Sequence, residues 1–276
     1  MKEKLYTYWF VFVGNSLLLC KEKDLYSVPL CEESPVPIKD WTYIQELPDL
    51  NGHKCRACMF DVPPVNVNEF ATVGLRESYT KLPLEFYLMA GKASELLFWN
   101  SNTQYCGFCG APMKKHTDIS KRCTNCGKEI WPQVAPAIIV RIRKVEVKNA
   151  EGEVIEPEKI LLVHAKNFRR SEMYGLVAGF VETGETLEEC VEREVMEEVH
   201  LKVKNIKYFG SQAWPYPSGI MIGFTADYDG GDIQIQEEEL SNASWFAKDS
   251  LPQIPDKMSI ARRLIDDWLD SSNQIL

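Results

Sequence analysis

The sequence predicts an α+β fold built from three parts, and three observations support this prediction. Short apolar and β-branched runs bounded by turn residues indicate strands in both halves of the chain. Apolar residues recur at helical spacing in three segments, at about 83–99, 187–199 and 259–271. Two Cys-x-x-Cys pairs lie close together between the halves, which is typical of a small metal-stabilised module. The expected parts are a mixed N-terminal domain at 1–101, the cysteine module at 102–131 and a C-terminal domain at 132–276.

Bulk composition limits the classes of function. The chain has 276 residues, of which 45% are hydrophobic and 26% charged, as in ordinary globular proteins. Its net charge of −9 leaves no broad basic surface to hold a nucleic-acid backbone. No segment approaches the roughly 18 apolar residues that a membrane span requires. An anionic substrate remains possible, because bound metal ions would reverse the local field.

The N-terminal stretch KEKLYTYWFVFVGNSLLL starts basic and turns apolar, as a signal peptide does. However, Gly14-Asn15 interrupts the apolar run, and no cleavage site of small residues follows. We therefore interpret the stretch as two strands, Tyr8–Val13 and Leu17–Cys20, joined by a Gly-Asn turn. A cytoplasmic protein is expected.

The other elements follow in order. A proline-rich middle precedes the helix at 83–99, and the cysteine module comes next. The segments AIIVRIRKVEV and ILLVHA indicate a strand pair with a long polar connection. A glutamate-rich helix follows, then strands around IKYFGSQAW and IMIGFTADYD, and a final helix in SIARRLIDDWLDS.

The glutamate-rich helix has a clear start and a clear buried edge. Thr186 and Glu189 have the spacing of a capping box, which predicts that the helix begins near Leu187. Apolar residues at intervals of four then form one edge that packs against a sheet. This edge consists of Leu187, Val191, Val195 and Val199.

Three carboxylates beside that edge create an electrostatic conflict. Glu194, Glu197 and Glu198 share an arc of about 100° near the negative end of the helix dipole. A solvated glutamate-rich face is the simpler interpretation. Such a face normally carries lysines one turn away, whereas Arg193 is the sole cation between positions 187 and 199. Mg²⁺ or Mn²⁺ would resolve the conflict, because these ions prefer carboxylate oxygens.

This pattern resembles the Nudix box. Gly179, Glu185 and the segment REVMEE at 193–198 have its spacing, and His200 replaces only its final glycine. That position needs a positive φ, which histidine tolerates at a cost of roughly 1 kcal/mol. The resemblance implies a Nudix α/β/α sandwich that hydrolyses a nucleoside diphosphate linked to another moiety. It also implies that Arg193 pairs with Glu185 and locks the preceding loop onto the helix.

The same resemblance implies a catalytic metal site. Glu194 and Glu198 would bind Mg²⁺ or Mn²⁺ together with the backbone carbonyl of Ala178, and Glu197 lies beside them. The ions would neutralise the pyrophosphate and orient a water molecule in line with phosphorus. We expect Glu198 to complete the activation of that water.

A second motif, SQAWPYPSGIM at 211–221, suggests the substrate. Alone, a Trp-Pro-Tyr-Pro run is more often a rigid structural loop than a ligand site. After a Nudix box it resembles the SQPWPFPxS array of the NADH pyrophosphatase branch, in which prolines orient aromatic groups towards a dinucleotide. Here Ala213 replaces a proline, Tyr216 a phenylalanine and Gly219 the final serine. The implied substrate-binding residues are Gln212, Ala213, Trp214, Pro215, Tyr216, Pro217, Ser218 and Gly219.

Four further residues match positions of that branch. Glu239 in EEELSNASWF would be an additional metal ligand, and Ala261 in SIARRLI would contact substrate. Arg76 in GLRES matches a substrate-binding arginine. Phe180 resembles an aromatic residue that stacks on nicotinamide, although core packing explains it equally well.

The cysteine module has the pattern C-x₂-C-x₁₃-C-x₂-C. Each pair suits a knuckle whose backbone amides point at the thiolates, and the glycine after each second cysteine relieves the turn. Four thiolates suit a closed, structural Zn²⁺ site, with free thiols or a redox pair as the alternative. The ligands would be Cys106, Cys109, Cys123 and Cys126. The module resembles the zinc ribbon of NADH pyrophosphatases, which implies substrate contacts from Asp118 and Trp131, the latter across a homodimer.

Cys55 and Cys58 form another Cys-x-x-Cys pair, but no partner pair stands nearby. His53 would bring the set to only three ligands, which makes a poor structural zinc site. We interpret both cysteines as bystanders.

The resemblances together imply hydrolysis of NAD(H) to AMP and nicotinamide mononucleotide. This branch also removes NAD caps from RNA 5′ ends, and ADP-ribose or other dinucleotides would undergo the same chemistry. The alternative from another functional class is a protein without hydrolase activity, in which the zinc ribbon binds a nucleic acid or a protein and the Nudix fold is an inactive adaptor. The intact REVMEE segment argues against it. The expected partners are a dinucleotide, with the 5′ end of capped RNA as an alternative, and a second copy of the chain. No membrane partner is expected.

Overall fold

The structure, a computed structural model, describes residues 6–61, 70–166 and 172–271. The chain forms two compact units. The N-terminal unit comprises residues up to Val134 together with Trp214–Ser218, and the C-terminal unit comprises Ala135–Ala213 and the chain from Gly219 onward. The predicted α+β class is confirmed. No helix in the described ranges is long and apolar enough to cross a membrane.

The N-terminal unit is built on a seven-stranded sheet in the order β3-β2-β1-β6-β5, with β4 paired to β1 and β7 to β2. Its strands are β1 Thr7–Val13, β2 Ser16–Glu22, β3 Leu25–Ser27, β4 Leu30–Cys31, β5 Gln45–Leu50, β6 His53–Phe60 and β7 Phe70–Gly74. The predicted first hairpin is confirmed, and Gly14 turns it with a φ of 54°. The proline-rich middle was not expected to contain β5 and β6. Strand β6 pairs in parallel with β1, which is distant in sequence. No local pattern in the sequence predicts this pairing.

A single long helix packs on this sheet. Helix α1 spans Leu84–Asn102, after a 3₁₀ turn at Glu77–Thr80, and it confirms the helix predicted at 83–99. Its buried residues, including Ala93 and Leu97, pack against the core formed by Phe10 and Leu17. The cysteine module follows as a three-stranded sheet in the order β10-β9-β8. Its strands are β8 Met113–Thr117, β9 Ser120–Cys123 and β10 Glu129–Ile130.

The C-terminal unit contains a six-stranded mixed sheet in the order β16-β17-β11-β14-β18, with β15 paired to β11. Its strands are β11 Ala135–Lys144, β14 Lys159–Ala165, β15 Val177–Phe180, β16 Lys202–Trp214, β17 Gly219–Gly230 and β18 Leu240–Ala247. The predicted pairing of β11 with β14 is confirmed. The polar connection between them holds a small hairpin that was not predicted, β12 Val147–Lys148 with β13 Val154–Glu156.

Two helices cover the two faces of this sheet. Helix α2 spans Leu187–Val199, and helix α3 spans Ile260–Asp270. Because neighbouring strand residues point to opposite faces, Ile138 packs in the core with α2, and Ile139 packs in the core with α3. The implied α/β/α sandwich is therefore confirmed.

Both ends of α2 have the predicted geometry. The Thr186 hydroxyl accepts a hydrogen bond from the Glu189 amide at 3.2 Å, and the Glu189 carboxylate accepts one from the Thr186 amide at 2.7 Å. This is the predicted capping box. At the other end, His200 has a φ of 62° in the left-handed region, as expected where the box normally has glycine.

Replacing His200 by glycine is expected to stabilise the protein by about 0.5–1 kcal/mol. Glycine adopts the left-handed conformation without the steric penalty of a Cβ, although its greater freedom in the unfolded chain offsets part of the gain. Chemical denaturation compares this variant with His200→Ala, which keeps the penalty. Equal stability of the glycine and alanine variants would contradict the prediction.

Candidate catalytic and metal site

The carboxylate-bearing face of α2 lies against strand β15. Gly179 of β15 pairs with Ile138 of β11. A Cβ built on Gly179 would lie 1.9 Å from the Cδ atom of Glu194, so the Glu194 carboxylate occupies the space of a side chain there. The glycine therefore allows a helix carboxylate to approach the strand backbone.

Replacing Gly179 by alanine is expected to reduce activity on the order of 10–100-fold with little loss of stability. The new Cβ would displace the Glu194 carboxylate, which is the far end of a flexible side chain, and a small displacement of a predicted metal ligand has large kinetic effects. Steady-state kinetics with a Mn²⁺ titration measures the change. Gly210→Ala is the matched control, since a Cβ there meets no atom within 4 Å. Wild-type activity in Gly179→Ala would refute this role of the glycine.

Arg193 connects the loop before α2 to the carboxylates. Its Nε and Nη2 atoms donate to the two oxygens of Glu185 at 2.9 and 2.7 Å. Its Nη1 atom donates to Glu194 and Glu197, both at 2.9 Å, and Nη2 also donates to the carbonyl of Phe180 at 2.9 Å. The guanidinium holds the pKa of Glu185 down at about 2. The predicted pairing of Arg193 with Glu185 is confirmed.

Glu198 lies apart from this guanidinium, in the interior. Its side chain is 5% exposed, and burial, followed by the charge of Glu194, raises its pKa to about 8. A hydrogen bond from the backbone amide of Ala178 offsets only part of this rise. Burial also raises the pKa of Glu194. Because Arg193 contacts Glu194 and Glu197 but not Glu198 in the described part of the chain, Glu198 has no positive partner there.

Glu239 contributes to the same negative field from a different segment. It lies exposed just before β18, and its charge raises the pKa of both Glu194 and Glu198. Long-range folding therefore brings Glu239 within electrostatic reach of Glu194 and Glu198, and its role as a metal ligand stays a prediction.

The carboxylate site fits a hard divalent cation. A buried acid without a positive partner and two neighbouring carboxylates provide the oxygen ligands that Mg²⁺ and Mn²⁺ prefer. Ala178, in strand β15, lies beside Glu198 of helix α2. Its backbone carbonyl would complete the predicted set of metal ligands. Within the described ranges, only the four cysteines bring all their ligand atoms within 4.8 Å of one another. The carboxylate set is thus more open, as suits an ion that keeps water and phosphate ligands.

The cysteine module has the geometry of a structural zinc site. The sulfur atoms of Cys106 and Cys126 are 3.7 Å apart, and those of Cys109 and Cys123 are 3.4 Å apart. A tetrahedral site with Zn–S bonds of about 2.3 Å requires sulfur separations of about 3.8 Å. Backbone amides of Cys126 and Asn125 lower the pKa of Cys123, which favours its thiolate form, whereas desolvation and the neighbouring sulfurs raise the pKa of Cys126. The glycines after each pair have φ values of 73° and 74°, as the knuckle interpretation expected.

The other cysteine pair does not form such a knuckle. Cys55 and Cys58 lie on β6, where their odd spacing directs them to opposite faces of the sheet. Cys55 packs in the core with α1, and Cys58 packs beside Trp9. Burial raises their pKa values to about 11 and about 12, so both remain thiols. This supports their interpretation as bystanders.

The aromatic loop Trp214–Ser218 lies in the N-terminal unit, and there it contacts Arg76. The Arg76 guanidinium lies 4.9 Å from the Trp214 ring centroid and 4.7 Å from that of Tyr216. The two rings contact each other edge to face at 5.2 Å. Ser218 donates a hydrogen bond to the carbonyl of Gln133 at 2.9 Å. The structure therefore brings together three residues of the predicted substrate set.

Sequence reasoning missed a partner of this loop. The hydroxyl of Tyr87, on α1, lies 3.0 Å from the Tyr216 hydroxyl. The two tyrosines are 129 positions apart, so no local pattern could have linked them.

Gln212 and Ala261 lie together in the C-terminal unit. The Gln212 amide donates to the carbonyl of Met258 at 2.7 Å and accepts from the amide of Ile260 at 2.6 Å. It therefore fixes the chain where it enters α3. The Ala261 side chain is buried in the core, so a contact with substrate would involve its backbone. Substrate binding by both residues stays a prediction.

The remaining predicted substrate residues are distributed over both units. In the N-terminal unit, Asp118 forms an ion pair with Lys115 at 2.9 Å, and Trp131 is 51% exposed. In the C-terminal unit, Phe180 is 67% exposed, which excludes the core-packing interpretation of its ring. Ala213 and Gly219 lie in strands β16 and β17, and Pro217 follows a cis peptide bond. Their contacts with a substrate stay predictions.

Comparisons with known proteins agree along the chain. Residues 6–99 match the NADH pyrophosphatase-like rudimentary NUDIX domain, 101–130 the NADH pyrophosphatase zinc ribbon domain, and 147–268 the NUDIX domain. A crystal structure of a NUDIX hydrolase from Nitrosomonas europaea is similar at a TM-score of 0.48 and 20% identity, over 62% of this chain and 93% of that chain.

Curated relatives share much higher identity. The protein named NAD-capped RNA hydrolase NudC from Pectobacterium atrosepticum is 43% identical over 66% of this chain and 65% of its own length. Its namesakes from Chromobacterium violaceum and Deinococcus radiodurans are 40% and 42% identical, over 69% and 71% of this chain and 68% of their own lengths. The chain thus spans about two thirds of the length of these relatives. It belongs to the Nudix hydrolases, in the branch that combines an NADH pyrophosphatase-like domain, a zinc ribbon and a NUDIX domain.

Proposed function

We propose that this enzyme hydrolyses the pyrophosphate bond of NAD(H) and releases AMP and nicotinamide mononucleotide. The observation that carries the proposal is the buried Glu198 carboxyl, which stands beside Glu194 and lacks a positive partner in the described chain. A folded protein tolerates such a group where a cation is to be bound. The REVMEE segment and the three family matches support hydrolysis as the use of that cation.

The residue roles follow from this arrangement. Glu194, Glu198, Glu239 and the Ala178 carbonyl would hold Mg²⁺ or Mn²⁺, and Glu197 stands beside them. When bound, the ions supply charge neutralisation of the pyrophosphate and polarisation of the attacking water. Water oxygen then bonds to phosphorus, the bridging phosphoanhydride bond breaks, and Glu198 accepts the proton of the water.

Arg193 is a positioning residue in this scheme. By bonding to Glu185, Glu194, Glu197 and the Phe180 carbonyl, it fixes the end of β15 and the loop that follows it relative to the carboxylates. The four cysteines would hold Zn²⁺ in a closed site without an open position, so that ion is structural.

The substrate assignment rests on the aromatic loop. Trp214 and Tyr216 offer large aromatic surfaces, and prolines limit the ordering cost of presenting them to a dinucleotide. Arg76 adds a cation beside these rings. Asp118, Trp131, Phe180, Gln212 and Ala261 complete the proposed contacts.

A second substrate with the same chemistry is the NAD cap of an RNA 5′ end. The name that these relatives share, NAD-capped RNA hydrolase, favours it. The net charge of −9 favours recognition of the cap itself over an extended RNA contact. We also propose that the protein works as a homodimer in the cytoplasm.

A substrate panel tests the proposal. NADH, NAD⁺, ADP-ribose and an NAD-capped oligonucleotide are incubated with Mg²⁺ or Mn²⁺, and products are resolved by chromatography. We expect NADH, NAD⁺ or the capped oligonucleotide to be cleaved with the highest kcat/KM. Much faster cleavage of ADP-ribose than of these substrates would overturn the assignment from the aromatic loop.

A further inference from the structure

The aromatic loop rests on one face of helix α1. Tyr87 is almost completely buried, and its hydroxyl lies 3.0 Å from that of Tyr216. One helical turn later, Gly91 is also buried. A Cβ built on Gly91 would lie 3.0 Å from the Cγ atom of Pro215. Because residues four apart share a helix face, Tyr87 and Gly91 form one continuous seat for the loop.

The hydroxyl pair is a feature of this chain. The array that the loop resembles has phenylalanine where this chain has Tyr216, so a phenylalanine there would leave the Tyr87 hydroxyl without this partner. Burial and the hydrogen bond to Tyr87 raise the pKa of Tyr216. Buried hydroxyl groups normally have a partner, and the Tyr216 hydroxyl supplies one for the buried Tyr87 hydroxyl.

The surroundings of Gly91 also explain why a glycine occupies this position. Glycine is among the poorest helix formers, yet it lies in the interior of the 19-residue α1. The close approach of the Pro215 ring gives a packing reason for it.

A short chain of contacts links Tyr87 to Trp214, the ring proposed to face the substrate. Tyr87 holds Tyr216, Tyr216 contacts Trp214 edge to face at 5.2 Å, and Arg76 lies over both rings of the loop. We infer that Tyr87 and Gly91 are positioning residues that hold the aromatic loop in its dinucleotide-binding arrangement. The inference deepens the proposed function and rests on it.

The test measures NADH affinity apart from hydrolysis. Dissociation constants for NADH are determined by NADH fluorescence without added Mg²⁺ or Mn²⁺, and KM and kcat are measured with Mn²⁺. We expect Tyr87→Phe to weaken binding and raise KM about 3–10-fold, with kcat within about twofold of wild type, and Tyr216→Phe to weaken binding at least as much. The double variant should be no weaker than Tyr216→Phe alone, because the Tyr87 hydroxyl has already lost this hydrogen bond in that single variant. Tyr105→Phe removes a hydroxyl from a 70% exposed ring and serves as the matched control.

Gly91→Ala separates positioning from stability. Alanine favours the helix but pushes against Pro215, so NADH binding should weaken while the melting temperature stays equal or rises. Lys92→Ala, at an exposed position of the same helix, controls for the change in helix propensity.

The outcomes distinguish this inference from the proposed function. Weaker NADH binding in the variants supports the positioning role of Tyr87 and Gly91, even if wild type releases no AMP. The absence of AMP release from wild type would contradict the proposed function alone. Unchanged affinity in Tyr87→Phe and Gly91→Ala would overturn the inference. It would also be overturned if melting temperature and kcat fell together while the affinity for NADH stayed constant.

Discussion

Replacing Glu198 by glutamine is expected to lower kcat for NADH hydrolysis on the order of 10³-fold or more. Glutamine keeps the shape of the side chain but removes its charge, so it neither accepts a proton nor attracts a divalent cation. Only 5% of Glu198 is exposed, and no other buried carboxylate of α2 is available to replace it. Release of AMP, measured by chromatography under saturating Mn²⁺, gives the rate.

The matched control is Glu192→Gln, an identical change at an exposed position of the same helix. It should retain activity within about twofold, because its charge is solvated. The folded state of Glu198→Gln should be intact, since glutamine matches the shape of the protonated carboxyl and leaves no buried charge. If Glu198→Gln hydrolysed NADH at the wild-type rate, the adaptor interpretation or a different catalytic centre would be favoured.

Stabilisation by Mn²⁺ is expected to increase with pH. In the metal-free protein, burial raises the pKa of Glu198 to about 8 from an ordinary value of 4.5. The folded state therefore binds this proton more tightly than the unfolded chain. Its contribution to stability is complete below about pH 4.5 and is lost as the pH rises through about 8.

A cation that binds the charged carboxylate would offset this loss. The loss is on the order of a few kcal/mol, which corresponds to roughly 5–10 °C in melting temperature for a domain of this size. We expect Mn²⁺ to raise the melting temperature by several °C more at about pH 8.5 than at about pH 5.5. Differential scanning fluorimetry at matched ionic strength measures this difference.

Glu198→Gln isolates the group responsible. Because glutamine does not titrate, the metal-free variant should lose less stability than wild type between about pH 5.5 and 8.5, and its Mn²⁺ effect should be small. An equal dependence on pH and Mn²⁺ in wild type and variant would show that another group controls the response.

Helix α2 was predictable because its signals are local. The Thr186–Glu189 capping box and the apolar edge every four residues lie within a few turns, and the helix begins and ends as predicted. The pairing of Arg193 with Glu185 came from the box resemblance, and the loop turn at Gly184 brings the two side chains together. The cysteine knuckles are likewise encoded in a few adjacent residues.

Features that depend on distant partners were not predictable. Strand β6 has Lys54, Cys55 and Arg56 in its sequence, and its long parallel pairing with β1 defines it as a strand. Strand β18 was not predicted as a strand, and its pairing with β14 defines it. The close approach of Glu194 to Gly179 and the contact of Tyr87 with Tyr216 also depend on tertiary folding.

Direct titration with Mn²⁺ tests whether Glu194 and Glu198 form the catalytic cation site. Electron paramagnetic resonance measures free Mn²⁺ in the presence of wild type, the Glu194→Gln/Glu198→Gln double variant and the Glu192→Gln control, all without nucleotide. Wild type and control should bind Mn²⁺ with the same affinity, and the double variant should lose this binding. Equal Mn²⁺ binding by all three proteins would contradict the account.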